Sequence, residues 1–323
     1  MKAITLSNPE DKRSLELTDV PDPRLRDGEV LVKVAAAGVN RGDLLQAAGH
    51  YPPPPGASEI IGLECAGEIV DPGTTSRKAG EQVACLLAGG GYAEYVAVPE
   101  GQLMPIPAGY TAVEAASVVE VACTVYSNIV MVAGLQEGDT ILIHGGAGGI
   151  GTFAIQLAKA LGAKVAVTAG SAEKLELCRS LGADILINYK EQDFAKELKN
   201  SCDVILDIMG AKYLDGNVRA LARDGHQVTI GMQGGRKGEL DLARLLAKRG
   251  SISATALRAR DLEDKARIVA ETVQHVWPLL ESGQVKHHIH RTLPLAEAAA
   301  AHELLDSGEV SGKLVLEVAA AAQ

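Results

Sequence analysis

The segment from His144 to Gly151, HGGAGGIG, spaces three glycines as Gly146-x-Gly148-x-x-Gly151. It stands between an apolar β-branched run, Asp139 to Gly145, and an amphipathic one, Ile150 to Leu161. Glycines at that spacing between a strand and a helix suit a phosphate group. Gly146 would allow the tight turn, Gly148 would let a pyrophosphate approach the backbone, and Gly151 would let the helix pack on the sheet. Gly149 and Ile150 open the helix, whose free N–H groups and positive end would hold the anion. The following strand ends Thr168-Ala169-Gly170-Ser171. A dinucleotide without a 2′-phosphate calls for an acidic residue there, about 20 residues after the first glycine. None stands at the strand tip; Ser171, Lys174 and Tyr189 could converge on a 2′-phosphate, which favours NADPH over NADH. Glu173 is the awkward neighbour, and Lys174 also suits an ordinary exposed helix position.

Six strand candidates carry this turn: Asp139 to Gly145, Ala163 to Ala169, Ala183 to Tyr189, Cys202 to Met209, His226 to Gly231 and Ser251 to Leu257. Helices alternate with them. Ile150, Phe153, Ala154, Leu157 and Leu161 share one helical face that stops at Gly162, and Ser171 suits the N-cap of a second helix ending at Leu181-Gly182. Apolar strands alternating with helices predict a doubly wound parallel sheet covered on both faces. The first 120 or so residues differ, with Pro- and Gly-rich breaks between short runs that predict a mostly β domain. Lys313 to Val318 reads as one more strand after a helix from Ala296 to Leu305, its pairing partner left open. The Ala-rich tail after Val318 is expected to fray.

The chain's 323 residues suffice for two domains. With 47% hydrophobic and 22% charged residues, neither a disordered chain nor a membrane protein is expected. Aromatic residues make up 3%, so the core must be built from Ala, Val, Leu and Ile. A net charge of −10 disfavours a nucleic-acid partner, though a local pocket for one phosphate is compatible with it. Cys65, Cys85, Cys123, Cys178 and Cys202 are scattered in apolar runs and read as reduced core thiols of a cytoplasmic protein. The first residues lack the pattern of a secretory leader. Ala115 to Leu135 is long enough to span a bilayer, but it contains Glu120, Ser127 and Asn128 and lacks flanking basic residues, so a buried helix is expected.

Several long segments resemble the zinc-independent quinone oxidoreductase branch of the medium-chain dehydrogenase/reductase superfamily, most closely its tumour-suppressor-inducible type. They are GEVLVKVAAAGVNRGDLLQAAGHYPPPPGAS, IIGLECAGEIV, GGGYAEYVAVPEG, the glycine turn, VTAGSAEKLELCRSLGAD, INYK and SGKLVLEV. The resemblance implies an α/β protein with a doubly wound Rossmann domain, residues 124–289, inserted into a GroES-like, mostly β catalytic domain, residues 1–123 plus 290–323. It implies a cleft between them and a homodimer joined through the Rossmann sheets, a tetramer being the alternative. Zinc-dependent relatives place a Cys where this chain has Asn40 and a His where it has Leu63, beside Glu64. No CxxC is present, so no metal is expected. His288 and His290 could share a strand face as two metal ligands, but no Cys or carboxylate adjoins them, and a solvated or interface cluster is expected.

The resemblance further implies that Asn40 and Asp43 line the nicotinamide end, that Thr124 holds the carboxamide side, that Gly231 and Met232 follow the fifth strand, and that Lys313 reaches the cofactor or its neighbour. Tyr51, ahead of four prolines, is the candidate substrate wall and proton or hydrogen-bond donor. Each has a plainer use: Asn40 and Asp43 also suit helix caps, and Tyr51 also suits a buttress for a stiff loop. Cys123 has no imidazole or basic neighbour and reads as core. No Ser-His-Asp or paired-carboxylate arrangement is evident, and hydride transfer needs none, because the cofactor brings the chemistry. The expected activity is NADPH-dependent reduction of a quinone. Reduction of an enone or enoyl double bond is the alternative within the same chemistry, and a non-catalytic nucleotide-binding role, crystallin-like or RNA-binding, is the alternative outside it.

Overall fold

The computed structural model describes residues 1–8, 11–12 and 14–318 of the 323; the Ala-rich tail after Val318 lies outside them. The described residues divide into two compact units, the first drawn from Met1–Cys123, Leu257–Glu281 and His287–Gln323, the second from Thr124–Ala256 and Ser282–Lys286.

The second unit is built on six strands, Thr140–His144, Lys164–Ala169, Ile185–Asn188, Cys202–Asp207, Leu221–Thr229 and Ser251–Ala254. Every pairing is parallel, and, counted along the chain, the order across the sheet is 3-2-1-4-5-6. The order reverses beside the first strand, which is where a dinucleotide fold opens its crevice. Ile141, Leu142, Ile143, Val165, Ala166 and Val167 are fully buried, as strands covered on both faces require. The first crossover helix is Gly149–Ala160, and Gly162 ends it at φ +82°, a left-handed position that suits glycine. Ser171 caps the next helix, Ala172–Ser180, its hydroxyl accepting the Lys174 N–H at 3.3 Å. The fifth strand begins at Leu221 rather than His226, because Leu221 pairs with Cys202 ahead of a register shift.

The first unit centres on a seven-stranded sheet. Its path runs Ile289–Pro294, Lys313–Glu317, Glu29–Val39, Glu64–Asp71, Gln82–Leu86 and Leu103–Pro105, with Tyr95–Pro99 pairing on Glu29–Val39. Lys313–Glu317 thus finds two partners, Ile289–Pro294 in parallel and Glu29–Val39 antiparallel. Along Glu29–Val39, Val30, Val32 and Val34 point to the core while Lys33 faces solvent, and the strand becomes continuously buried from Ala36.

The helix Leu262–Glu281 belongs to the first unit by its contacts, whereas a boundary at 124–289 would have placed it in the second. Its Trp277 indole N–H donates to the Pro105 carbonyl at 2.8 Å, and Glu281 accepts the Ala108 N–H at 3.0 Å. Gly101 makes the approach possible, since a Cβ there would lie 2.7 Å from the Ala266 methyl. The apolar stretch is helical over 112–132 and long enough to cross a membrane, yet 78% of its most apolar window is buried inside the protein. All five cysteines are buried and free; burial pushes the Cys178 thiol up to about 11 and Cys202 to about 12.

Candidate active site

In the second unit, the strand Thr140–His144 delivers the chain to the glycine turn. The left-handed residue is Gly145, at φ +71°, one position before the Gly146 to which the spacing assigned the turn. Gly146 is needed for another reason: a Cβ there would lie 2.9 Å from both Cys178 Sγ and Val167 Cβ. At Gly151 a Cβ would overlap the Gly145 carbonyl, so this glycine seats the helix against the turn rather than against the sheet. Gly148 is different. It is exposed at the N-cap of Gly149–Ala160, and the nearest atom to an added Cβ is Gly145 O at 3.5 Å, so the protein itself does not demand a glycine there. The turn is anchored by His144, which is fully buried and bonded to Thr168 Oγ1 at 3.0 Å and Asn217 Oδ1 at 2.8 Å. Burial pushes its imidazole down to about 4, so it is neutral, with Nε2–H donating to Asn217 and Nδ1 accepting from Thr168.

The Thr168–Ser171 end of the second strand carries no carboxylate at its tip, and Gly170 lies beneath the Tyr189 hydroxyl, with which a Cβ would overlap. Tyr189 is 48% exposed. Tyr189 therefore adjoins Gly170, next to Ser171, and Lys174 stands in the first turn of the helix that Ser171 caps. Glu173 turns back onto its own N–H and the Ser171 hydroxyl, which together hold its carboxyl below the usual range. The helix start thus already faces one carboxylate. Gly231 follows the fifth strand with Ile208 O about to meet any Cβ, at 2.9 Å, and Met232 beside it is 58% exposed. Thr124 is buried; its carbonyl accepts the Asn128 amide at 2.7 Å, and Asn128 Oδ1 accepts the Thr255 hydroxyl at 2.5 Å.

In the first unit the polar residues form two connected clusters. Glu64, fully buried, accepts from Asn40 Nδ2 at 2.8 Å, Lys313 Nζ at 2.6 Å and the Glu120 N–H at 2.8 Å. Lys313 Nζ also donates to Asn40 Oδ1 at 2.6 Å, and its side chain is 7% exposed. Lys313 is thus held inside the unit by Asn40 and Glu64, and Glu64 is the partner that sequence reasoning had not assigned. Asn40 precedes the helix Arg41–Ala47, and Asp43 turns back to accept its N–H at 2.7 Å. Asp43 also accepts from Tyr92 Oη at 3.2 Å, and Tyr92 Oη lies 3.2 Å from His302 Nε2. Burial pushes the Asp43 carboxyl up to about 7 and the His302 imidazole down to about 4. Asp43 Oδ1 is buried without a partner.

Tyr51 packs over Gly42, where a Cβ would lie 3.3 Å from its ring. Beneath the ring is Arg258, also unassigned from sequence, its guanidinium 5.0 Å from the ring centroid. The histidines behave separately. His287 pairs with Glu114 at 3.0 Å, and the Ser311 N–H lies 3.5 Å from His290 Nδ1. Among the described residues, no group of three or more His, Cys, Asp or Glu side chains gathers as a metal cage.

Residues 26–108 match the alcohol dehydrogenase GroES-like domain, and residues 149–273 match the zinc-binding dehydrogenase family. The chain is 32% identical over 298 residues to the polyketide synthase GfsB of Streptomyces halstedii, covering 91% of itself but spanning only 5% of that protein. It is 32% identical over 304 residues to a quinone oxidoreductase of Pseudomonas aeruginosa, covering 92% of each. The crystal structure of Escherichia coli quinone oxidoreductase complexed with NADPH is similar at a TM-score of 0.85 with 28% identity, covering 98% of this chain and 100% of that one. A relative matched along nearly its whole length, with both domain families in order on this fold, establishes that the chain belongs to the medium-chain dehydrogenase/reductase superfamily.

Proposed function

We propose that the protein is a zinc-independent NADPH:quinone reductase, of the kind the tumour-suppressor-inducible branch represents. The observation that carries this reading is Gly148: exposed at a helix N-cap, with nothing in the protein crowding its missing Cβ, it leaves room for a pyrophosphate against the backbone. The N–H groups of Gly149, Ile150 and Gly151 would hold that pyrophosphate, over Gly146 and Gly148, whose own N–H groups are spent on the Thr168 and Gly145 carbonyls, and Ser171, Lys174 and Tyr189 beside Gly170 would hold the 2′-phosphate. Thr124, Gly231 and Met232 would border the nicotinamide. When bound, NADPH supplies a hydride, for which acceptor and donor carbons must approach to about 3 to 3.5 Å. Asn40 is oriented without ambiguity, its Nδ2 spent on Glu64 and its Oδ1 on Lys313. Lys313 thereby acts as a positioning residue, its ammonium holding Asn40 and neutralised by Glu64. Tyr51 would face the acceptor as hydrogen-bond or proton donor, with Asp43 behind it.

Steady-state rates with NADPH and NADH against 9,10-phenanthrenequinone, 1,4-benzoquinone, 1-penten-3-one and a crotonyl thioester test the proposal. Quinones reduced fastest, and with NADPH, is the expected result. Faster reduction of the enone or thioester would transfer the assignment to the double-bond reductase reading, which the polyketide synthase relative favours. NADPH binding without turnover of any acceptor would leave the non-catalytic role. Metal analysis is expected to return no stoichiometric zinc; one zinc per chain overturns that part. A cytoplasmic homodimer completes the proposal, to be checked by light scattering on the purified protein, and a tetrameric mass would correct it.

A further inference from the structure

Arg258 is 4% exposed and carries a full positive charge, and its hydrogen bonds all end on neutral oxygens. Nε donates to Ala88 O at 2.8 Å, Nη1 to Tyr51 O at 2.8 Å and Nη2 to Gln46 Oε1 at 2.6 Å. Among the described residues, no carboxylate stands within ion-pair distance of it. Buried charges are ordinarily paired, because desolvation is costly, so an uncompensated guanidinium calls for a reason. A second buried cation deepens the imbalance: Lys265, also 4% exposed, donates to the Arg258 carbonyl at 3.3 Å. The three tethers fix the guanidinium plane, and the fourth neighbour is the Tyr51 ring, 5.0 Å from the guanidinium carbon to its centroid. The same residue that binds the Tyr51 backbone therefore also lies over its π face.

We propose that Arg258 is a positioning residue that acts through Tyr51, holding it in place and polarising its phenol so that the hydroxyl donates a proton to the oxygen of the reduced acceptor. The inference rests on the reductase reading above. An acceptor that has taken a hydride has gained two electrons and one hydrogen nucleus and carries one negative charge on oxygen. The Tyr51 O–H bond then breaks, an O–H bond forms on the acceptor, and solvent returns a proton to the phenolate, which Arg258 stabilises meanwhile. Burial raises the Tyr51 phenol above its ordinary value, Arg258 pulls it down, and Glu120 and Asp43 push it up. Arg258 is the sole favourable charge among these.

The test titrates Tyr51 directly, in protein labelled with carbon-13 at the tyrosine ring, with no acceptor or cofactor added. Tyr51→Phe identifies the resonance among seven tyrosines. Arg258→Gln keeps donors but removes the charge, and it should raise the Tyr51 titration midpoint by about one pH unit. Arg258→Lys, which keeps the charge but not the planar stack, should move it less and serves where the Gln variant does not fold. In turnover, Arg258→Gln should lower kcat about tenfold and shift the alkaline limb of the kcat profile upward. In the Tyr51→Phe background the same substitution should cost little more. An unmoved Tyr51 midpoint in both variants, or an equal kcat loss with and without the Tyr51 hydroxyl, overturns the proposal. Absence of NADPH-dependent turnover in the unaltered protein would instead strike the proposed function, because the titration needs no turnover.

Discussion

The glycine turn and the Asn40–Glu64–Lys313 cluster each fix polar groups in place, by opposite means. In the turn, Gly145, Gly146, Gly148 and Gly151 lie within seven residues, and what matters is the absence of side chains. In the cluster, Glu64 is drawn to Asn40 across 24 positions and to Lys313 across 249, and what matters is that buried charges meet. The first arrangement spends the N–H groups of Gly146 and Gly148 on the turn itself and leaves those at the helix start, from Gly149, for an outside anion. The second closes on itself, carboxylate to ammonium, so its charge serves orientation. A site built by omission should lose ligand when filled, whereas a site built by pairing should lose stability when one partner goes.

The largest effect expected is at Gly148. Gly148→Val should abolish NADPH fluorescence enhancement while the melting temperature stays close to that of the unaltered protein, because the added Cβ meets only Gly145 O at 3.5 Å. Gly151→Ala should lose binding together with stability, since its Cβ overlaps that same carbonyl. If both variants melt alike, the distinction between the two glycines is wrong. Lys313→Met leaves Glu64 buried without its cation and should cost about 3 to 5 kcal/mol in denaturant unfolding. Adding Glu64→Gln should recover much of that loss; a double variant no better than the single one would break the pairing account.

Asp43 sharpens the contrast through pH. Its folded carboxyl is pushed up to about 7 by burial, so the fold favours the neutral acid. That contribution is complete below the unfolded value of about 4 and is lost as pH rises toward 7. Asp43→Asn should therefore gain melting temperature relative to the unaltered protein between pH 5 and pH 8, and a constant difference across that range would refute the shift. The smallest effect is reserved for Lys174→Ala, expected to raise the KM for NADPH about tenfold while sparing NADH. Equal effects on both cofactors would detach Lys174 from the 2′-phosphate and return it to the helix surface.

The second unit was legible because its rules are local. Period, glycine spacing and the Ser171 cap each act over a few residues, so strands and helices fall close to where the pattern places them, and only the fifth strand, lengthened by its pairing with Cys202, starts early. What the pattern missed within it is His144, whose partners Thr168 and Asn217 lie 24 and 73 positions away. In the first unit the shortfall is larger. Asn40, Asp43, Tyr51 and Lys313 were reached by resemblance, but Glu64 and Arg258 are joined to them only by folding, and no periodicity links Arg258 to Tyr51 across 207 positions. The helix Leu262–Glu281 escaped for the same reason: the Trp277 bond to Pro105 that assigns it spans 172 positions. One signal was present in the sequence: Glu64 is an acidic residue between Ile60-Ile61-Gly62-Leu63 and Cys65-Ala66-Gly67, an apolar run whose burial makes a carboxylate costly unless it is paired.

The place of Lys313–Glu317, between Ile289–Pro294 and Glu29–Val39, has a consequence for biosynthesis. All six strands of the parallel sheet have been synthesised by Ala254, so that sheet can assemble while the ribosome is still adding residues. The other sheet must wait. Until the strand at 313–317 emerges, Val39 and its neighbours present an unpaired edge, and Glu64 has no cation to meet, so the half that holds the Asn40–Glu64–Lys313 cluster is the half that a nascent chain completes last.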